Sequence, residues 1–98
     1  MLTRKEWVEY LRQHSQVQTR VVHRSATAMA VIGVLTALYQ HDYVLGLVSV
    51  GLGYLIAWLS HLIIEHNLPA TFKHPLKSLV ADFRMLLTTE AEIRRSLR

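Results

Sequence analysis

Histidine is the residue type in this 98-residue chain with the clearest chemical potential, because there are six histidines and no cysteine. Five of them fall near the ends of two long apolar segments, on the same side of both: His14, His23, His61, His66 and His74. Clustered imidazoles bind divalent metal ions through a ring nitrogen. Without cysteine the chain has no thiolate ligand and forms no disulfide. The composition therefore favours a metal site with nitrogen and oxygen ligands.

The two apolar segments position these histidines. Residues 21–40 and 43–65 have the length that crosses a hydrocarbon core of about 30 Å at about 1.5 Å per helical residue. The connection between them is only two residues long, which predicts an antiparallel hairpin. His23 and His61 are at similar distances along the chain from this connection. We therefore expect their imidazoles at nearly the same depth in a bilayer.

Composition and charge predict an all-α membrane protein, with residues 1–98 as one domain. Hydrophobic residues make up 51% of the chain and are concentrated in the two segments. The alternative, a soluble helical hairpin, has too little other surface to cover them. Basic residues flank the segments and none lies between Arg24 and Lys73, so the positive-inside rule predicts cytoplasmic termini. The net charge of +4 suits anionic lipid headgroups, and no nucleic-acid-binding motif is present.

Amphipathic helices are predicted on both sides of the two-span hairpin. Residues 3–14 begin with a capping box at Thr3 and Glu6, and residues 75–87 begin with a proline. The second helix carries an apolar stripe of Leu76, Leu79, Val80, Phe83, Leu86 and Leu87, and Lys77, Asp82 and Arg84 lie on the opposite, polar face. We expect both helices in the membrane interface or over the site, with residues 88–98 as a charged helical tail beyond the bilayer. The uncovered faces of two spans also predict a homodimer, assembled as a four-helix bundle with membrane lipids around it.

Rows of small residues indicate how the two spans meet. In the first span the row that begins with His23 is Ala26, Ala30, Gly33 and Ala37, and in the second the row that ends with His61 is Ser49, Gly53 and Ala57. Small side chains let membrane helices approach closely. If the two rows meet, both imidazoles point into the hairpin. The alternative is ordinary small-residue packing with a histidine at each end by chance.

Glu65 follows His61 by four residues and so is expected on the same helical face. A carboxylate there is either a metal ligand or the partner that orients the imidazole. The structural alternative is an ion pair with Arg20 or Lys73 at the helix end. Because ionisable groups close to a bilayer usually mark a functional site, the carboxylate is included among the candidate site residues.

The remaining histidines fall into two pairs. His14 lies on the apolar face of the first helix and His74 precedes a proline at the same membrane face, so each suits either ligation or a structural role. His41, at the opposite face, and His66, turned away from Glu65, are expected to be solvated interfacial residues.

Several motifs occur in one order along the chain. They are Y-L-x2-H-x5-R-x2-H at residues 10–23, H-x3-E-x-N-x-P-A-T-F at 61–72, H-P at 74–75, S-L at 78–79 and D-F-R-M at 82–85. In these motifs the chain resembles the family of membrane 2-hydroxy fatty acid dioxygenases of fatty acid α-oxidation. The resemblance covers roughly residues 7–87.

The resemblance implies an iron(II) enzyme that uses O2 to shorten a 2-hydroxy fatty acid by one carbon. The residues it assigns are His14, His23, His61 and His74 as metal ligands, Glu65 and Asn67 in catalysis, and Arg20, Lys73 and Arg84 at the substrate carboxylate. An α-hydroxy carboxylate can chelate a metal through two oxygens, which agrees with a histidine-rich site. Two other hypotheses stay open at this point: a zinc hydrolase acting on a lipid, and a non-enzymatic membrane scaffold or lipid-binding hairpin.

Overall fold

The computed structural model describes residues 2–69 and 73–97, which form helices joined by short connections. The α-helices in this part of the chain are α1 (Arg4–Arg12), α2 (Val17–Gln40), α3 (Tyr43–Ser60), α4 (Pro75–Leu87) and α5 (Glu90–Ser96). A π-helical segment, His61–Glu65, continues α3 without a break. We call α2, α3 and this segment the hairpin, and α1, α4 and α5 the cap, which packs across one end of it.

The turn of the hairpin is closed by local hydrogen bonds. His41 adopts a left-handed conformation with φ of 54°, and the backbone N–H groups of His41 and Asp42 donate to the carbonyls of Leu38 and Ala37. These bonds satisfy carbonyls that the end of α2 would otherwise leave unpaired. The Asp42 carboxylate then accepts from the N–H of Leu45 at 3.1 Å and starts α3. Two residues are therefore enough to reverse the chain, as predicted.

The predicted rows of small residues do meet along the hairpin. A Cβ placed on Gly33 would lie 2.1 Å from the Ser49 hydroxyl oxygen, and one on Gly53 would lie 3.1 Å from the Ala30 Cβ. At such separations the backbones of α2 and α3 are as close as glycine permits. The histidines that end the two rows are consequently brought to the same end of the hairpin.

The outer faces of the hairpin are apolar and exposed. Ile32, Leu38 and Leu47 are 65%, 62% and 75% exposed. The two helices, Val17–Gln40 and Tyr43–Glu65, are long and apolar enough to cross a membrane. So large an apolar surface on a water-soluble monomer would be unusual, whereas lipid or a second copy would cover it.

The hydrophobic core lies in the cap. It is formed by Trp7, Tyr10, Leu11, Ala81, Met85 and Ile93. Capping boxes start two of the cap helices, at Thr3 with Glu6 and at Thr89 with Glu92. Leu2 and Leu97 pack against this core from the two ends of the described chain.

The helix α4 does not bury its apolar stripe within the chain, since Leu76 and Leu87 are 73% and 83% exposed. Its placement in the membrane interface stays a prediction. The buried residues of α4 are Ser78, Ala81, Asp82 and Met85. The predicted charged tail contains α5, which buries Ile93 completely in the core. The buried face of α4 directs Asp82 to His23 and Met85 into the cap core, while Leu76 and Leu87 point outward.

Candidate metal centre

Three imidazoles meet where the cap covers the hairpin. His14 follows α1, His23 lies on α2 and His61 opens the π-helical segment, and all three are at least 95% buried. One ring nitrogen from each lies within 4.8 Å of the others. The ring planes are nearly perpendicular, with interplanar angles of 77°, 79° and 82°. Three imidazoles that converge edge to face in this way can hold one metal ion.

Hydrogen bonds from neighbouring groups orient two of these rings. His14 Nδ1 lies 2.7 Å from the Tyr10 carbonyl oxygen, to which it donates. His61 Nδ1 lies 2.8 Å from the side-chain oxygen of Asn67, whose amide group donates to the Gln13 carbonyl. A partner on Nδ1 leaves Nε2 as the ligating nitrogen, which is the usual arrangement around metal-bound histidines.

The free nitrogens of the site fit a metal ion. His14 Nε2 and His23 Nδ1 are buried and have no hydrogen-bond partner among the described residues. Leaving a buried polar atom unpaired costs about 1–3 kcal/mol, and coordination would remove that cost. Burial, followed by the neighbouring His23 and His61, lowers the pKa of His14 well below its usual value. The imidazole is therefore neutral, which is the form that binds metal.

Asp82 is the carboxylate closest to this site, and the sequence interpretation had placed it on a polar outer face. It is 8% exposed and lies 3.6 Å from His23 Nε2 through Oδ1, the oxygen that accepts the Tyr10 hydroxyl at 2.5 Å. Burial raises the pKa of Asp82 to about 6, against the hydrogen bond from Tyr10. The available signal was the i, i+3, i+4 row of Ser78, Ala81 and Asp82, which has helical periodicity although it is not apolar.

Glu65 binds the start of α2. Its oxygens accept from Ser15 N–H and hydroxyl, from Gln16 N–H at 2.7 Å and from the Thr19 hydroxyl at 2.6 Å. A carboxylate at a helix N-terminus satisfies free N–H groups and favourably meets the helix dipole. The wider turn of the π-helical segment separates Glu65 from the face that four-residue α-helical spacing predicts. Glu65 thus connects the end of one span to the start of the other, and it is not paired with Arg20.

Arg20 is buried and fully engaged by protein groups. It forms an ion pair with Glu90 at 2.7 Å and donates to the carbonyls of His14 and Ser15. Arg24 joins the same carboxylate at 2.6 Å. These bonds attach α5 to α2 and hold the backbone at His14. The structure therefore gives Arg20 a positioning role at the site.

The other predicted site residues lie apart from the three imidazoles. Lys73 and His74 are exposed, and His74 is the residue that precedes the first turn of α4. The Arg84 guanidinium lies 4.3 Å from the centre of the Trp7 ring, on the surface of the cap. His41 and His66 are exposed, as expected. His74 and Arg84 belong to the sequence motifs, but the described structure brings only His14, His23 and His61 together as candidate ligands.

Comparison with known proteins identifies a family over almost the whole chain. A family model described as 2-hydroxy-palmitic acid dioxygenase Mpo1-like matches residues 2–92. No curated protein matches the chain. No solved structure matches it either.

Proposed function

Because the chain belongs to the 2-hydroxy-palmitic acid dioxygenase Mpo1-like family, we propose that it is a membrane-embedded, iron(II)-dependent dioxygenase that shortens 2-hydroxy fatty acids by one carbon. The observation that supports this most strongly is the buried group of His14, His23 and His61. One ring nitrogen of each lies within 4.8 Å of the others, and His14 Nε2 and His23 Nδ1 have no hydrogen-bond partner among the described residues. A scaffold without a ligand would gain nothing from keeping such nitrogens out of water.

In this proposal the three imidazoles hold the metal, and their neighbours fix the rings. Asn67 and the Tyr10 carbonyl orient His61 and His14. When bound, iron(II) supplies O2 activation and a Lewis acid for the two oxygens of an α-hydroxy carboxylate. Asp82 lies beside His23, so its carboxylate can take the proton of the substrate hydroxyl. Arg20 and Glu65 keep the surrounding backbone in place.

The overall reaction balances with O2 alone. One 2-hydroxy acid and one O2 together contain the same atoms as the products. These products are one CO2, one water and the fatty acid that is one carbon shorter. The bond between the carboxyl carbon and the hydroxyl-bearing carbon breaks, the latter becomes the new carboxyl carbon, and O2 is reduced. No additional reductant is therefore required.

We also propose that the hairpin spans the bilayer with both termini on the cytoplasmic side, and that two copies form a four-helix bundle. The support is the distribution of basic residues outside the two spans, together with the exposed apolar side chains of the hairpin. The site then lies at headgroup depth, where the polar end of a lipid-derived acid is accessible. Cross-linking in native membranes would test the dimer, and monomers alone would exclude it.

The test of function is metal content combined with O2 consumption. We expect one iron per site, and O2 uptake that depends on a 2-hydroxy fatty acid. His61→Ala should lose both, and Asn67→Ala should weaken metal binding about 10- to 100-fold. His41→Ala is the matched control because this histidine is exposed at the opposite end of the hairpin. Zinc content with lipid hydrolysis would favour the hydrolase, and a native protein with neither bound metal nor turnover would favour the scaffold.

A further inference from the structure

An apolar groove begins at the metal centre and runs along the hairpin. It has a volume of about 340 Å³ and is bounded by α2, α3 and α4. Its two ionisable lining residues, His23 and Asp82, lie at the metal centre. The other lining residues are Ala26, Thr27, Ala30, Val31, Val34, Leu35, Val50, Gly53, Tyr54, Ala57, Leu79 and Phe83.

The groove exists because small residues form its floor. Ala26 and Ala57 bring the two helices together near the histidines, and larger side chains stand on either side of this contact. Leu79 and Phe83 of α4 form a roof over the end near the site. The same two side chains belong to the apolar stripe that points away from the cap core. At the far end Leu35 is 60% exposed, so the groove opens sideways toward the surroundings of the hairpin.

We propose that this groove holds the acyl tail of the substrate and presents its 2-hydroxy acid end to the metal centre. The identity of the polar end rests on the proposed function, whereas the assignment of the tail rests on the groove itself. An apolar channel with one polar end complements an amphiphile. In the described part of the chain, no lysine or arginine lines it. The carboxylate therefore has the metal ion as its available positive partner.

The dimensions set an expected chain length. From His23 to Leu35 the chain advances 12 residues along α2, which corresponds to about 18 Å of helix. An extended alkyl chain advances about 1.25 Å per carbon, given a C–C bond of about 1.52 Å. Dividing the length of the groove by the advance per carbon gives room for about 14 carbons beyond the polar end.

Two valines of α3 provide a matched pair for the test. Val50 lines the far end of the groove and is 38% exposed, whereas Val48 is 51% exposed and does not line it. Val50→Phe fills the space where the tail would end, and Val48→Phe adds the same bulk to an outer face. The probes are 2-hydroxypalmitic acid and palmitic acid, each with a photoreactive diazirine at the terminal carbon, added to the protein in lipid nanodiscs.

In the native protein we expect labelling at Val34, Leu35 and Val50, mapped by mass spectrometry. Val50→Phe should reduce this labelling roughly tenfold, the equivalent of about 1.4 kcal/mol of overpacking. It should slow turnover of 2-hydroxypalmitic acid more than that of 2-hydroxyoctanoic acid. Val48→Phe should change neither.

The proposal would be overturned if the native protein were labelled at outward-facing residues such as Leu47. This outcome does not depend on whether a variant folds. Equal effects of the two phenylalanine variants would also overturn it. Loss of dimers in Val50→Phe, with no specific labelling in the native protein, would assign the groove to a second copy instead. If palmitic acid labels the groove while no 2-hydroxy acid is consumed, the tail site stands and the proposed reaction fails.

Discussion

The cap buries its large apolar side chains, whereas the hairpin exposes them. In the cap, Leu11, Met85 and Ile93 are completely buried around a compact core. In the hairpin the buried apolar positions are small residues such as Ala26, Gly53 and Ala57, and large ones such as Leu47 are 75% exposed. In water, burial of large apolar side chains drives the formation of a core. In lipid this drive is absent, and helices associate closely through small residues. The metal centre lies where these two kinds of packing meet.

The largest expected difference comes from one substitution made in each region. Leu11→Ala should destabilise the cap by about 2–5 kcal/mol, because a fully buried leucine leaves a cavity. Leu47→Ala should have almost no effect, because this side chain is 75% exposed and its loss leaves no cavity. Trp7 fluorescence during denaturation, in a Trp58→Phe background, measures the stability of the cap. A comparable loss from Leu47→Ala, measured by denaturation in SDS, would show that protein covers the outer face of the hairpin.

A smaller effect is expected from methyl groups added inside and outside the hairpin contact. Gly33→Ala places a Cβ at 2.1 Å from the Ser49 hydroxyl oxygen, so the helices must separate at a cost of about 1–3 kcal/mol. Gly51→Ala meets nothing within 4 Å and should be neutral or slightly stabilising, since alanine favours helix over glycine. Denaturation in mixed detergent, followed by circular dichroism, compares the two. Equal stability of both variants would contradict the close helix contact.

The smallest effect concerns the ion pairs that join the cap to the hairpin. Hydrogen bonds from Arg20 are the main reason that the pKa of Glu90 falls from 4.5 to about 2. The ionised Glu90 is therefore favoured in the folded state, and its stabilisation is complete above pH 4.5 and disappears as the pH falls from 4.5 toward 2. Glu90→Gln should cost about 1–2 kcal/mol at neutral pH, allowing for partial exposure.

Denaturation of the cap from pH 7 to pH 2 checks this dependence. Glu90→Gln should reduce the acid-dependent loss seen in the native protein. Glu9→Gln is the control, because Glu9 is an exposed glutamate of α1 within the cap. If Glu9→Gln alters the acid transition as much as Glu90→Gln does, the joint between cap and hairpin is not where the structure places it.

The elements that depend on local chemistry could be predicted from the sequence. The capping box at Thr3, the reversal at His41 and Asp42, and the start of α4 at Pro75 are all found where the residue types predicted them. Each depends on backbone conformation and on hydrogen bonds over a few residues. The approach of His23 to His61 could also be predicted, because two spans joined by two residues allow only one alignment.

The partners of the site residues could not be predicted in the same way. Asp82 was expected on a solvated face because an amphipathic pattern is normally interpreted with its apolar side inward. Next to a membrane that rule can reverse, and α4 points its small and polar face to the histidines. Glu65 was placed by α-helical spacing, which the π-helical segment alters. Glu90 belongs to a segment whose single buried apolar residue, Ile93, gives too weak a periodic signal.

The sequence by itself determined two apolar helices of membrane length, their reversal and the supply of imidazoles at one end, because these follow from composition and short-range geometry. Only the tertiary structure decided which imidazoles converge, that Asp82 accompanies them, and that Arg20 and Glu65 hold the backbone around them. Those outcomes depend on the orientation of the cap relative to the hairpin. This orientation is fixed by the burial of the cap core and by ion pairs between residues about 70 positions apart, such as Arg20 and Glu90.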